Sequence, residues 1–166
     1  MSKQDKDTID RGAARSRERP TAPWPDTAEA VRRTMRANRG KDTKPELALR
    51  SLLHLDGYRF RIHGRGLPGT PDVVFTARRK AVFAHGCFWH SHPGCRNATV
   101  PKTRSGYWVP KLARNRERDT EHTVKLRAMG WDSLVVWECE MMDGAAVQER
   151  LRDFLGPVRH RPGPQT

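Results

Sequence analysis

Apolar and polar positions along the chain predict a short series of alternating helices and strands. Thr43-Lys44-Pro45-Glu46 has the marks of a helix start, with a capping threonine, a proline in the first turn and a glutamate three residues after the cap. Leu49, Leu52 and Leu53 then form one apolar stripe, and Gly57 is a stop. Tyr58-Arg59-Phe60-Arg61-Ile62 alternates apolar and basic, which predicts a half-buried strand with a basic outer face. The glycines and prolines of His63–Pro71 make that stretch a loop. Val73-Val74-Phe75 and Ala81-Val82-Phe83 are two apolar runs joined through Ala77-Arg78-Arg79, a hairpin or close strand pair. Cys87–Pro101 is irregular, Pro110–Met129 is helical up to Gly130, Trp131–Trp137 is a buried-type strand and Val147–Leu155 a closing helix. Strands and helices interleaved around one small sheet place the chain in the α/β or α+β class.

Charge changes the picture from fold to partner. The 166 residues carry 32 Lys and Arg against 19 Asp and Glu, a net +13. Residues 1–25 are polar and proline-punctuated and read as a disordered basic arm of only +2; residues 157–166 read as a flexible tail. The expected folded domain, 26–156, keeps 24 basic and 15 acidic residues. From Arg96 to Arg118 seven basic residues face one acid, Glu117. Such an excess spread through a folded domain, with aromatics among it, points to a polyanion, most often nucleic acid. No apolar run is long enough to span a membrane, and no secretory leader is visible, so a cytoplasmic protein without a membrane partner is expected.

The cysteines add chemistry. Cys87-x4-His92-x2-Cys95, followed by Cys139 beyond a predicted strand, supplies four thiolate and imidazole ligands. Zinc favours that set, and four protein ligands close the coordination sphere, so the metal is expected to be structural. The plainer alternative is that the cysteines are small buried hydrophobes and His92 a loop residue.

Asp72 stands at the mouth of an apolar strand, and the paired strand ends at Ala84-His85, with His90 close behind. A carboxylate, a neighbouring carbonyl and nearby histidines suit a hard cation such as Mg²⁺ and a proton-transfer group. Equally, Asp72 can be a turn residue and Glu46 a capping residue. Lys111, Asn115 and Asp119 recur at i, i+4, i+8 on one helix face, either solvated or reaching phosphates or a metal-bound water. Phe88-Trp89 in the cysteine loop and Tyr107-Trp108 at the opening of the basic helix are rings that either pack a small second core or wedge between base steps. Trp131 and Trp137 are expected in the core.

Taken together, Leu67-Pro68-Gly69-x-Pro71-Asp72, Phe83-Ala84-His85-Gly86-Cys87-Phe88-Trp89-His90 and Val136-Trp137-Glu138-Cys139 resemble the very short patch repair (Vsr) endonucleases. Met35-Arg36-Ala37, Asp42-Thr43 and Asn115-x-x-Arg118-Asp119 fit the same family, and the likeness runs from about Arg33 to Met141. The resemblance implies a restriction-endonuclease-like core related to the PD-(D/E)xK nucleases, with a mixed sheet flanked by helices. It implies Mg²⁺-dependent nicking of double-stranded DNA beside a T:G mismatch left by deaminated 5-methylcytosine. By matching position, Asp72 and the Ala84 carbonyl would hold Mg²⁺, and His85 and His90 would be active-site histidines, His90 handling the attacking water. Glu46 and Asp119 would occupy the outer metal and water shell, and Cys87, His92, Cys95 and Cys139 would bind structural Zn²⁺. Phe88, Trp89 and Trp108 would enter the DNA beside the mismatch, Met35 and Arg36 would clasp it, and Lys111 and Asn115 would contact it.

The Glu/Asp-x-Lys half of the broader nuclease pattern is missing, with His85 at the end of that strand, and the long N-terminal arm is unmatched. A zinc-stabilised DNA-binding module without catalysis would explain the charge, zinc ligands and aromatics. Only an enzyme explains Asp72, His85 and His90 together. RNA binding through stacked rings fits the composition but not the acid–histidine cluster. The expected protein is a monomer in the bacterial cytoplasm at the nucleoid, working upstream of repair factors that act on a nick.

Overall fold

The chain's computed structural model describes residues 40–102 and 104–158. Met35, Arg36, the 1–25 arm and most of the C-terminal tail lie outside the described residues. Helix α1 (Lys44–Leu55) starts as expected: Glu46 reaches back to the Thr43 N–H and hydroxyl, and Pro45 sits in the first turn. It ends at Asp56, with Gly57 at φ +82, a conformation that costs glycine nothing.

Four strands follow in the order β1 (Arg61–Ile62), β2 (Val73–Phe75), β3 (Lys80–His85) and β4 (Asp132–Trp137), each bonded to the next. The first three are antiparallel neighbours, and β4 runs parallel to β3 in the register His85↔Trp137. A parallel step needs a crossover, supplied here by α2 (Ser105–Ala128). Helix α3 (Gly144–Leu155) closes the chain, its N-terminus capped by the Asp143 carboxylate accepting from the Ala146 N–H.

One face of the sheet presents Val73, Phe75, Val82 and Val136 to Leu49 and Leu53 of α1 and Val147, Leu151 and Leu155 of α3. Complete enclosure of leucines such as Leu49, Leu53 and Leu151 contributes about 1.5–3 kcal/mol each. The alternate residues Val74, Ala81 and Phe83 face the other side, where Leu112 and Leu126 of α2 are buried. With both faces covered, β2 is buried at every position, which is why it reads as an unbroken apolar run.

Three expectations need correction. The basic alternating strand shrinks to Arg61–Ile62, and Ile62 is 48% exposed, because an edge strand this short has no helix over it. Helix α2 begins five residues before Pro110. The Arg104 carbonyl accepts from the Tyr107 and Trp108 N–H groups and closes the first turn, so the proline forfeits a single intrahelical bond. On β4 only Val136 is buried, and Trp131 and Trp137 are half-buried rather than core residues, since β4 is the opposite edge of the sheet. No helix among the described residues is long and apolar enough to cross a membrane.

Candidate active site and metal centre

The parallel pairing of β3 and β4 builds the metal-type cluster. With His85 opposite Trp137, Cys87 and Cys139 leave the sheet two residues beyond matched positions, on neighbouring strands. The turn that follows β3 donates the His92 N–H to the Cys87 carbonyl and carries the chain back over itself. As a result the ligand atoms of Cys87, His92, Cys95 and Cys139 all lie within 4.8 Å of one another. The His92 Nδ1 is 3.7 Å from the Cys87 Sγ and 3.4 Å from the Cys139 Sγ. Bond lengths of about 2.0–2.3 Å around a tetrahedral zinc require edges of about 3.6 Å, so the spacing fits that ion. Burial pushes the Cys87 thiol up to about 12, a cost that a cation bound by its thiolate would offset. Trp137 stacks on His92 at 4.1 Å and 6°, fixing the ring plane. The half-buried tryptophan is thereby a wall of this cluster.

At the start of β2, Asp72 turns its carboxylate across to β3, where Oδ2 accepts from the Ala84 N–H at 2.8 Å. Within a strand the N–H and C=O of one residue point to the same edge, so the Ala84 carbonyl faces the Asp72 side. Burial raises the Asp72 pKa to about 6, and the charge of Glu46 adds to it against the Ala84 hydrogen bond and the Arg50 and His63 charges. A desolvated carboxylate with an acidic neighbour and an adjacent carbonyl is a donor set that suits a hard divalent cation.

Glu46 is 5% exposed, and both its oxygens are engaged. Oε1 accepts from Thr43, and Oε2 from the Asp42 N–H at 3.0 Å and Arg50 Nη2 at 2.9 Å. In this arrangement Glu46 caps α1 and acts on Asp72 through its charge.

Beyond Ala84 the alternation of β3 turns His85 to the α2 side of the sheet. Its ring is 3.7 Å from that of His90 and 11° from parallel. His85, His90 and Asp119 bring their ligand atoms within 4.8 Å of each other. Stacked parallel imidazoles aim their lone pairs alongside one another rather than at a shared point, an arrangement better suited to proton handling than to chelation. Burial, then the His90 charge, lowers the His85 pKa to about 4 against the pull of Asp119, so His85 is neutral near pH 7. His90 Nδ1 lies 2.6 Å from Asp119 Oδ2. Burial pushes the Asp119 carboxyl up, but the His90 hydrogen bond and the charges of His90, His85 and His122 bring it below its ordinary value. An ionised carboxylate only accepts, so Nδ1 is the donor to Asp119 and Nε2 is the ring nitrogen turned away from that bond.

The polar face of α2 meets the 86–92 turn at three points. Asp119 holds His90, the Asn115 amide donates to the Trp89 carbonyl at 2.9 Å, and the Lys111 ammonium lies 5.4 Å from the Trp89 ring centroid. Next to it Phe88, Trp89 and Trp108 pack edge-on or tilted at 5.1–6.0 Å, all half-buried, and Tyr107 joins Trp108 at 5.1 Å. The rings therefore form a small cluster of their own whose outer faces remain open. Sequence reasoning assigned no role to Arg50, His63 or His122, and it grouped Tyr107 with Trp108 as a packing or wedging ring; only the i, i+4 spacing of Tyr107 and Lys111 signalled their contact.

A strand-mouth acid, a carboxylate-held histidine and a basic aromatic face on one side of a mixed sheet define a nuclease-type centre. Residues 26–96 match the family model described as DNA mismatch endonuclease Vsr. The chain is 53% identical over 129 residues to the type II nicking enzyme V.XorIIP of Xanthomonas oryzae pv. oryzae, covering 78% of this chain and 94% of that protein. It is 46% identical over 145 residues to the type II nicking enzyme V.NaeI of Lentzea aerocolonigenes, covering 84% and 86%. With the DNA mismatch endonuclease Vsr of Escherichia coli (strain K12) it shares 41% over 128 residues, covering 74% and 81%. The chain belongs to the Vsr DNA mismatch endonuclease family, whose core is of the restriction-endonuclease type.

Proposed function

We propose that this protein nicks duplex DNA beside a T:G mismatch by Mg²⁺-dependent hydrolysis of one phosphodiester. The observation that carries the reading is the single face of α2 that holds both the aromatic cluster, through Lys111 and Asn115, and His90, through Asp119. Recognition and chemistry are thereby built on one rigid element.

Mg²⁺ held by Asp72 and the Ala84 carbonyl would neutralise phosphate charge and lower the pKa of bound water. His90, with its Nδ1–H fixed on Asp119, offers Nε2 to take the proton of the attacking water. Neutral His85, stacked on His90, limits the ring's rotation and adds no competing charge. Glu46 supports the site from the capping box, and Arg50 holds it there. Phe88, Trp89 and Trp108 enter the stack beside the mismatch, Lys111 and Asn115 contact DNA at its edge, and Met35-Arg36 clasps the duplex. Cys87, His92, Cys95 and Cys139 hold Zn²⁺ as a structural staple for the turn that carries Phe88, Trp89 and His90. The domain spans 26–156 between a basic arm and a short tail and works as a monomer at the bacterial nucleoid, ahead of repair factors that process the nick.

The test is nicking of an end-labelled duplex with one T:G pair against its fully paired counterpart, with and without Mg²⁺. Cleavage of the thymine strand at the mismatch, only with the metal, is expected. Equal cutting of paired DNA, or none of either, refutes the reading, and tight mismatch binding without any nick favours the non-catalytic binding module.

A further inference from the structure

Lys111 has an unusual environment for a helix-surface lysine. Its Nζ lies 5.1 Å from the Tyr107 ring centroid and 5.4 Å from those of Trp89 and Trp108. Its one hydrogen-bond partner among the described residues is the Tyr107 hydroxyl, at 2.9 Å, and no carboxylate pairs with it there. Two indole rings and one phenolic oxygen thus hold the ammonium, which has three N–H donors and has placed one. The phenol accepts from lysine with its oxygen, so its own O–H is left to donate outward. The cluster therefore presents two adjacent donors, an ammonium and a phenol, at the rim of the rings.

Base-pair edges differ in what they ask of such donors. In the major groove guanine shows the N7 and O6 acceptors and thymine the O4 acceptor, so a T:G pair shows acceptors alone. Adenine opposite thymine, or cytosine opposite guanine, inserts an amino donor into that edge. Two donors held side by side match the acceptors that T:G shows across the pair and meet adenine's amino donor in T:A, so the discrimination they supply is against T:A.

On the basis of the mismatch-nicking function proposed above, we propose that Tyr107 is a specificity-determining positioning residue. Its hydroxyl holds the Lys111 ammonium on the ring cluster, so that the pair presents donors only to the acceptor-only edge of the mispair. Tyr107 acts through geometry and one O–H, and its contribution falls on discrimination rather than on overall affinity. Phosphate contacts set affinity and its salt dependence, whereas base-edge contacts set choice.

The experiment is a cycle of Tyr107→Phe, Lys111→Met and the double variant in the full chain. Single-turnover nicking of T:G and T:A duplexes is measured at two salt concentrations, alongside the thermal midpoint. Phenylalanine keeps the ring packed on Trp108 and removes only the hydroxyl. Tyr107→Phe is expected to lower the T:G over T:A ratio about fivefold, the effect of one ordinary hydrogen bond. Its salt slope and thermal midpoint should match wild type, and the double variant should discriminate no worse than Lys111→Met. A Tyr107→Phe ratio equal to wild type, or losses that multiply in the double variant, overturns the role of Tyr107 while leaving mismatch nicking intact. A wild-type protein that does not prefer T:G overturns both.

Discussion

The bond between His90 and Asp119 is the most exacting test of the catalytic reading, because it involves neither proposed metal ligands nor the ring cluster. Asp119→Asn keeps the side-chain size and removes the charge. In the structure the two groups are 2.6 Å apart with side chains 28% and 27% exposed, so solvent screens the pair only in part. As His90 accepts the water proton, the carboxylate faces a new positive charge. At an effective dielectric of about 20 and charge centres about 4 Å apart, that attraction is at most about 4 kcal/mol. Discounting for exposure leaves about 2–3 kcal/mol, or about a 30- to 150-fold slower chemical step. The asparagine amide can also donate to Nδ1 and reverse the tautomer, which pushes the loss toward the upper figure. The assay is single-turnover nicking of a T:G duplex with enzyme in excess, paired with mismatch binding and zinc content. A rate within twofold of wild type would falsify the assignment of Asp119 as the group that orients His90. A parallel loss of zinc and binding would show that the side chain holds the turn together instead.

Other sites give simpler expectations. Asp72→Ala removes the one acidic side chain assigned to the cation: mismatch binding should persist while Mg²⁺-dependent nicking disappears, and undiminished nicking would take Asp72 out of the site. Cys139→Ser should lower bound zinc and the thermal midpoint together, since metal binding is coupled to folding; a variant with one zinc per chain would contradict the four-ligand cluster. At Gly69, φ +75 and a Cβ that would meet His122 atoms at 2.9–3.1 Å make alanine strained twice over. Gly69→Ala should cost about 1–3 kcal/mol by urea titration, and a neutral result would show that the His122 ring swings aside freely.

Much of this was readable before any coordinates. The capping box at Thr43, the apolar runs of β2 and β3, and the Gly57 and Gly130 stops follow from local chemistry, which does not depend on the rest of the fold. The four zinc-type ligands were legible for a different reason: three cysteines and one histidine in that spacing leave few other uses. Tertiary context decided the rest. Ile62 has the right type for a buried strand position, but burial depends on whether a helix lies above the edge of the sheet. Pro110 looks like a helix start, and only the closure of the first turn on the Arg104 carbonyl shows that the helix begins earlier. The stacking of Trp137 on His92 comes from the parallel register of β3 and β4, which no local pattern encodes.

On the proposed reading, that register also gives selectivity a route to the chemistry. β3 and β4 end together, so the turn after β3 leaves the sheet with Cys87 and Cys139 side by side at its base and α2 along its length. Within this turn Trp89 and His90 are adjacent, one among the rings and the other on Asp119. Trp108 and Asp119 are eleven residues apart on α2, about 16 Å of continuous helix. On that reading, a displacement of the rings by DNA would pass to His90 through one peptide unit and through a helix that resists bending. If the wedge seats only where the bases part readily, the histidine reaches its working position only there. The folded domain's excess charge would, on the same reading, bring any duplex to the surface, and the Trp89–His90 peptide would link the fit of the mispair to the placement of the base.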